Sequence, residues 1–204
     1  MQGIFITLEG IEGSGKSTQA KLLADWLQKR GQDVILLREP GSTRIGEKIR
    51  EVLLNKNFKE ITPLTELFLF LASRAQLVDE KIRPALEKGV FVILDRYTDS
   101  TLVYQGFAHG LDITVIRQLN TIATGGLEPD ITFLLDMDIH EGLNKSGFKD
   151  RIEEKGLDFH LRVREGYFKL AEQYPQRIFV VKVKPDPQDT HSEIVEIFCN
   201  KFSI

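Results

Sequence analysis

Residues 10–18 read GIEGSGKST, so two glycines five apart are followed at once by a lysine and a serine. Glycine lets a backbone wrap closely around an anion without Cβ clashes. Successive N–H groups of such a loop point inward, and the helix that follows presents its positive end. In the pattern G-x-x-x-x-G-K-[ST], Lys16 reaches the β- and γ-phosphates of a nucleoside triphosphate and Ser17 offers its hydroxyl to Mg²⁺. The stretch Gly10, Ile11, Glu12, Gly13, Ser14, Gly15, Lys16, Ser17 and Thr18 therefore predicts a triphosphate cradle. It does not by itself name a reaction.

Two uses of such a cradle predict different companions. A guanine-nucleotide switch needs N-K-x-D and D-x-x-G. Asn144-Lys145-Ser146-Gly147 and Asn55-Lys56-Asn57-Phe58 both lack the aspartate, and neither Asp95-Arg96-Tyr97-Thr98 nor Asp136-Met137-Asp138-Ile139 supplies the glycine. A kinase for a small phosphorylated acceptor needs a second anion site and cations converging on the transferred group. It also needs a lid that excludes water. Arg38 and Arg96 each follow an apolar run, and residues 144–156 (NKSGFKDRIEEKG) form a charged, glycine-punctuated stretch carrying Lys145, Lys149 and Arg151. This stretch is the candidate lid. The four histidines, His109, His140, His160 and His191, show no metal-ligand spacing.

The elements that must position these residues alternate. Strand-like runs cover 3–8, 33–37, 89–94, 131–135 and 178–181. The first is apolar on both faces, as in a covered parallel sheet. Helical patterns run from about Ser17 to Arg30, where Gly31 stops them, then from Ile45 to Leu54 and from Pro63 to Glu87. Pro84 is expected to kink or restart the last of these, and a final helix starts near Asp189. Strands alternating with helices predict a single α/β domain over 1–204, with a five-stranded, mainly parallel sheet and helices on both faces. Arg38 and Arg96 then lie on the carboxyl edge, where open α/β sheets bind ligands.

Composition agrees with that class. The chain has 204 residues, 42% apolar and 28% charged, enough to bury a core and unlike a disordered chain. A net charge of −3 argues against a nucleic-acid polymer as partner, because phosphate-backbone affinity needs a basic surface. The single cysteine, Cys199, excludes an internal disulfide and fits a reducing compartment. With no secretory pattern at the start and no apolar run near the roughly 20 residues that span a bilayer, the expectation is a cytoplasmic protein without a membrane partner.

Six segments in order then resemble the bacterial thymidylate kinases: 9–18 (EGIEGSGKST), 38–50 (REPGSTRIGEKIR), 66–76 (ELFLFLASRAQ), 95–106 (DRYTDSTLVYQG), 125–138 (GGLEPDITFLLDMD) and 150–153 (DRIE). The resemblance covers the chain from end to end. It implies the P-loop NTPase fold, ATP and Mg²⁺ as cofactors, a homodimer, and transfer of the ATP γ-phosphoryl group to dTMP toward dTTP. Another nucleoside or nucleoside-monophosphate kinase is the alternative; the DRY segment, in place of E-R-S, argues against a deoxynucleoside kinase.

Roles follow from the resemblance residue by residue. Lys16, Arg96 and Arg151 would meet the transferred group, with Lys149 on the donor phosphates. Glu12 would bind the deoxyribose 3′-hydroxyl. Phe70 would stack on thymine and Arg74 would hydrogen-bond it; the two are four apart on a helix and share a face. Arg38 and Arg96 would hold the acceptor phosphate, and Asp95 with Ser17 the metal. Ser100 and Tyr104, like Thr101 and Gln105, are four apart and would form two polar rows facing the acceptor, with Tyr104 where a ribose 2′-hydroxyl would lie. Pro40 would sit near the thymine methyl, following an X-Pro bond able to be cis. Ser42 for glycine, Arg44 for proline, Leu77 for histidine, Asn144-Lys145 for the first lid arginine and Lys182-Val183-Lys184-Pro185 for the family's last-strand exit depart from the pattern.

Overall fold

A computed structural model describes residues 3–146 and 150–203. Five strands, β1 (Phe5–Glu9), β2 (Val34–Arg38), β3 (Phe91–Asp95), β4 (Ile131–Asp136) and β5 (Ile178–Lys182), form one sheet in the order β2-β3-β1-β4-β5. Every pairing is parallel. The three central strands are almost wholly buried and the two edge strands only partly so, which is why the central ones read as unbroken apolar runs. Side chains alternate across the sheet. Ile6, Leu8, Ile93, Phe133 and Leu135 pack against α1 (Lys16–Gln28) and α9 (Pro187–Phe202). Phe5, Val92 and Leu94 face the opposite side, toward Leu77, Val78, Ile82 and Leu86.

Strands β1, β3 and β4 each run one residue past the apolar stretch and end on Glu9, Asp95 and Asp136. The ladder continues through them: Leu8 pairs with Asp95, and Glu9 with Leu134. The 63–87 pattern is α3 (Pro63–Leu77), a wide π-helical turn over Val78–Ile82, and α4 (Arg83–Glu87). Pro84 has no N–H to give to the preceding turn, and the wide turn before it absorbs the break. Helix α9 starts at Pro187, because Asp186 caps it through Gln188 N and proline suits the first helical position. The remaining helices are α2 (Arg44–Leu54), α5 (Thr98–Thr101, running into a π-helical stretch at Leu102–Ala108), α6 (Ile113–Thr124), α7 (Ile139–Ser146) and α8 (Leu157–Gln173). No helix among the described residues is long and apolar enough to cross a membrane.

The strand order reverses beside β1, whose neighbours are β3 and β4. That is the switch point at which an open α/β sheet leaves a crevice at its carboxyl edge.

Candidate active site

The loop between β1 and α1 opens onto that crevice. Gly13 has φ 73° and lies so close to α7 that an added Cβ would stand 2.0 Å from the carbonyl oxygen of Gly142, so both conformation and contact demand glycine. Lys16 is buried. Its Nζ donates to the carbonyls of Ile11 at 2.7 Å and Gly10 at 3.2 Å, and to Ser14 Oγ at 3.4 Å. Burial and the nearby Arg96 charge bring it down to about 8, against the pull of Asp95, Glu12 and Glu9. Ser17 Oγ donates to Asp95 Oδ2 at 2.6 Å, so the loop hydroxyl and the last carboxylate of β3 stand side by side.

The loop also reaches toward the opposite wall. Glu12 Oε1 accepts from Arg96 Nη2 at 3.0 Å and from the Tyr104 hydroxyl at 2.7 Å. Burial pushes the Glu12 carboxyl up, but Arg96, His160, Lys16 and Tyr104 together hold it well below the usual carboxylate range. Arg96 itself takes the left-handed backbone region at φ 70°, which costs about 1–2 kcal/mol for a residue with a Cβ. Its guanidinium is fixed by Glu12, Ser100 Oγ and the Tyr167 hydroxyl. Behind it, buried Glu9 accepts from Tyr97 N, Ser100 N, Ser100 Oγ and the Tyr167 hydroxyl. Burial and Asp99 push Glu9 up while Arg96 pulls it down.

The far end of the crevice is lined by Arg38, Pro40, Arg50, Phe70, Arg74, Thr101 and Gln105. Glu39–Pro40 is cis. Arg38 pairs with Glu47 at 3.1 Å and remains half exposed. Ser42, at φ 65°, exchanges hydrogen bonds with Arg38 through its hydroxyl, so the serine that replaces a glycine ties down its own strained turn. Arg74 is 1% exposed and fully committed: Nε and Nη2 to Glu39 Oε2, Nη1 to Thr101 Oγ1 and Asn120 Oδ1, Nη2 also to Tyr97 O. Gln105 Nε2 donates to Glu66 at 2.8 Å.

The structure places the sequence-predicted residues in different surroundings: of the loop, Ser14 is buried, Gly10 and Ile11 line a small hollow with Asp136 and Tyr167, Gly15 caps α1 and Thr18 is exposed on it. Residues 12, 13, 16, 17, 38, 40, 70, 74, 95, 96, 100, 101, 104 and 105 line one crevice. Arg151 does not: its Nη2 bonds Glu66 Oε2 at 2.6 Å and its Nε bonds Leu53 O, while its neighbours Asp150, Ile152 and Glu153 face the crevice. Lys145 lines a different hollow with Asp136 and Lys184, and Lys149 lies outside the described residues.

Sequence reasoning assigned no role to Arg50, Glu66, His160 or Tyr167. Arg50 Nη1 donates to Pro40 O, and burial together with Arg38 lowers its pKa, which marks two guanidiniums facing the same space. Its only signal was its place at the end of the 38–50 segment. No metal-holding group of three His, Cys, Asp or Glu side chains occurs among the described residues.

A glycine cradle at the switch point, continued by a wall of arginines, defines a P-loop NTPase fold adapted to two ligands. The family model described as Thymidylate kinase matches residues 8–194. The thymidylate kinase of Thermoanaerobacter sp. (strain X514) is 46% identical, covering 97% of this chain and 98% of that one. That of Desulfovibrio desulfuricans (strain ATCC 27774) is 49% identical, covering 91% and 90%. The crystal structure of thymidylate kinase from Ehrlichia chaffeensis superposes with a TM-score of 0.81 at 35% identity, covering 97% of this chain and 99% of that one. The chain belongs to the thymidylate kinase family.

Proposed function

We infer that the protein is a dTMP kinase that transfers the γ-phosphoryl group of ATP to dTMP, releasing dTDP and ADP. The observation that carries this is the direct bonding of loop residue Glu12 to Arg96 and Tyr104: donor cradle and acceptor wall are one continuous surface. A phosphate oxygen of dTMP attacks the γ-phosphorus in line, the bond to the β–γ bridging oxygen breaks, and ADP leaves. Lys16 exchanges its Ile11 and Gly10 carbonyls for β- and γ-phosphate oxygens. Arg96 spans the two ligands, and Arg38 with Arg50 neutralises the acceptor phosphate. Phe70 and Pro40 flank the base. Every Arg74 N–H has a protein partner, so Arg74 supports the base through Thr101 or by giving up one of those bonds.

Ser17 and Asp95 are the residues that would hold Mg²⁺. Two hard oxygen ligands at one point suit an ion that keeps most of its waters, and Mg²⁺ there would draw off charge from the phosphates. The segment 144–156 acts as the lid; for Arg151 to reach the phosphoryl group it must trade Glu66 for phosphate oxygens. Exposed Ile45 and Val52 on α2, Leu64 and Phe68 on α3, and Val115 and Ile122 on α6 support a homodimer, since α3 packs against both α2 and α6. The proposed setting is cytoplasmic.

Measuring ADP formation with dTMP, dUMP, thymidine, UMP and CMP tests the acceptor. dTMP is expected to be preferred, and a clear preference for any other acceptor defeats the assignment.

A further inference from the structure

Helix α8 presents two polar side chains to the site, two turns apart on one face. Tyr167 bonds Glu9 and Arg96. His160, seven residues earlier, is 0% exposed, and its Nδ1 stands 3.5 Å from Glu12 Oε2. Neither ring nitrogen has a hydrogen-bond partner, and neither has Glu12 Oε2. Buried polar atoms left bare are costly, and native structures hold few of them. Two of these three face each other, and one proton placed on Nδ1 satisfies both.

We propose that His160 is a positioning residue for Glu12. In the Nδ1–H tautomer it donates to Oε2, while Arg96 and Tyr104 hold Oε1. The carboxylate is then gripped at both oxygens, and its plane is set against the acceptor. A phenyl ring fills the same space and offers no proton. The spacing of 160 and 167 gives α8, which begins where the candidate lid ends, a brace on both buried carboxylates of the loop strand, Glu9 and Glu12. This inference rests on the assignment of Glu12 to the acceptor sugar hydroxyl.

The test compares the full-length wild type with His160→Phe and His160→Asn, whose amide N–H falls near the Nδ1 position. Acceptors are dTMP and its 3′-deoxy analogue, and ATP dissociation is measured separately. His160→Phe is expected to lower kcat/KM for dTMP about tenfold, the scale of one lost hydrogen bond to a charged group. His160→Asn should stay within about threefold of wild type on the same scale. ATP affinity should not move, and with the 3′-deoxy analogue the loss caused by His160→Phe should shrink to within about twofold. Equal activity of His160→Phe and wild type overturns the proposal. So does an equal loss in His160→Phe and His160→Asn, or an undiminished loss with the 3′-deoxy analogue. If the wild type is indifferent to the 3′-hydroxyl, the assignment of Glu12 fails and takes this inference with it. If the wild type prefers dTMP and His160→Phe keeps that preference, only the role of His160 fails. Should His160→Phe not fold, His160→Gln, whose amide falls near Nε2 instead, carries the same comparison against His160→Asn.

Discussion

Lys16 is a cation among carbonyl oxygens, brought down to about 8 by burial and then by the nearby Arg96. A bound triphosphate restores its charge, so binding above pH 8 takes up a proton. ATP affinity is therefore expected to be flat below pH 8 and to weaken above it, by up to about tenfold per pH unit. Titrating ATP into the protein between pH 6.5 and 9.5 checks this; a flat profile across that range rejects it. Lys16→Met is expected to lower transfer at least about a hundredfold, as loss of a phosphate-directed donor does, with the circular dichroism spectrum unchanged. Arg74 behaves differently, because it is a buried partner before it is a ligand. Burial pushes Glu39 up to about 7 even with Arg74 opposing it. Without Arg74 the buried carboxyl favours its protonated form further, so the penalty grows as pH rises above about 7, where wild-type Glu39 ionises. Arg74→Ala is expected to cost about 3–5 kcal/mol at pH 8 and less at pH 5, and to impair dTMP use far more than ATP binding. Denaturant melts at the two pH values, beside KM for each substrate, check both; equal losses for the two ligands contradict the acceptor role. Lys16 was legible in the sequence because its partners are its chain neighbours. Arg50, Glu66, His160 and Tyr167 were not: Arg50 is fixed by the carbonyl of Pro40 in the loop after β2, and the other three by partners 39 to 158 residues away.

At the scale of elements, the second half of the candidate lid is tied down by one carboxylate. Glu66, 1% exposed on α3, receives Arg151 at 2.6 Å, Gln105 at 2.8 Å, His109 at 3.4 Å and Lys155 at 3.5 Å. Burial raises it, yet His109, Lys155, Gln105 and Arg151 together bring it down to about 2. A carboxyl lowered in the folded state contributes stability that is present above its unfolded value and is lost as pH falls through its folded value. Glu66 is therefore expected to contribute on the order of 3 kcal/mol at neutral pH, fading between about pH 4.5 and 2. Glu66→Gln should melt at lower temperature at pH 7 and converge on wild type near pH 2; parallel melting curves across that range rule out this role. Strands and α1 were legible because apolar runs and glycine stops are local signals. The two π-helical stretches were not: Pro84 signals a break without saying how the backbone absorbs it, and no proline marks Leu102–Ala108. The sequence reading placed no helix over α8 (Leu157–Gln173), and nothing in the spacing of its residues discloses that Tyr167 and His160 reach the strand end that carries the cradle.

Three helices, α3 and the two that pack against it, carry pairs of exposed apolar residues at helical spacing: Ile45 and Val52, Leu64 and Phe68, Val115 and Ile122. Ile122 is 78% exposed and Phe68 51%. Isolated exposed apolar residues are ordinary, but pairs on three adjoining helices form a patch that a second copy can cover. Helix α3 packs against both α2 and α6 and turns a different face inward, where Phe70 and Arg74 line the crevice. The proposed association and the acceptor wall thus share one helix. Phe68→Glu places a charge in the patch and is expected to shift the protein from twice the chain mass to the chain mass in light scattering at micromolar concentration. If α3 is held by its counterpart in a second copy, the monomeric variant should show a raised KM for dTMP while ATP binding, built on β1 and α1 across the sheet, is kept. A wild type that is already monomeric removes the patch as an interface, and a monomeric variant with unchanged KM for dTMP separates association from the acceptor site.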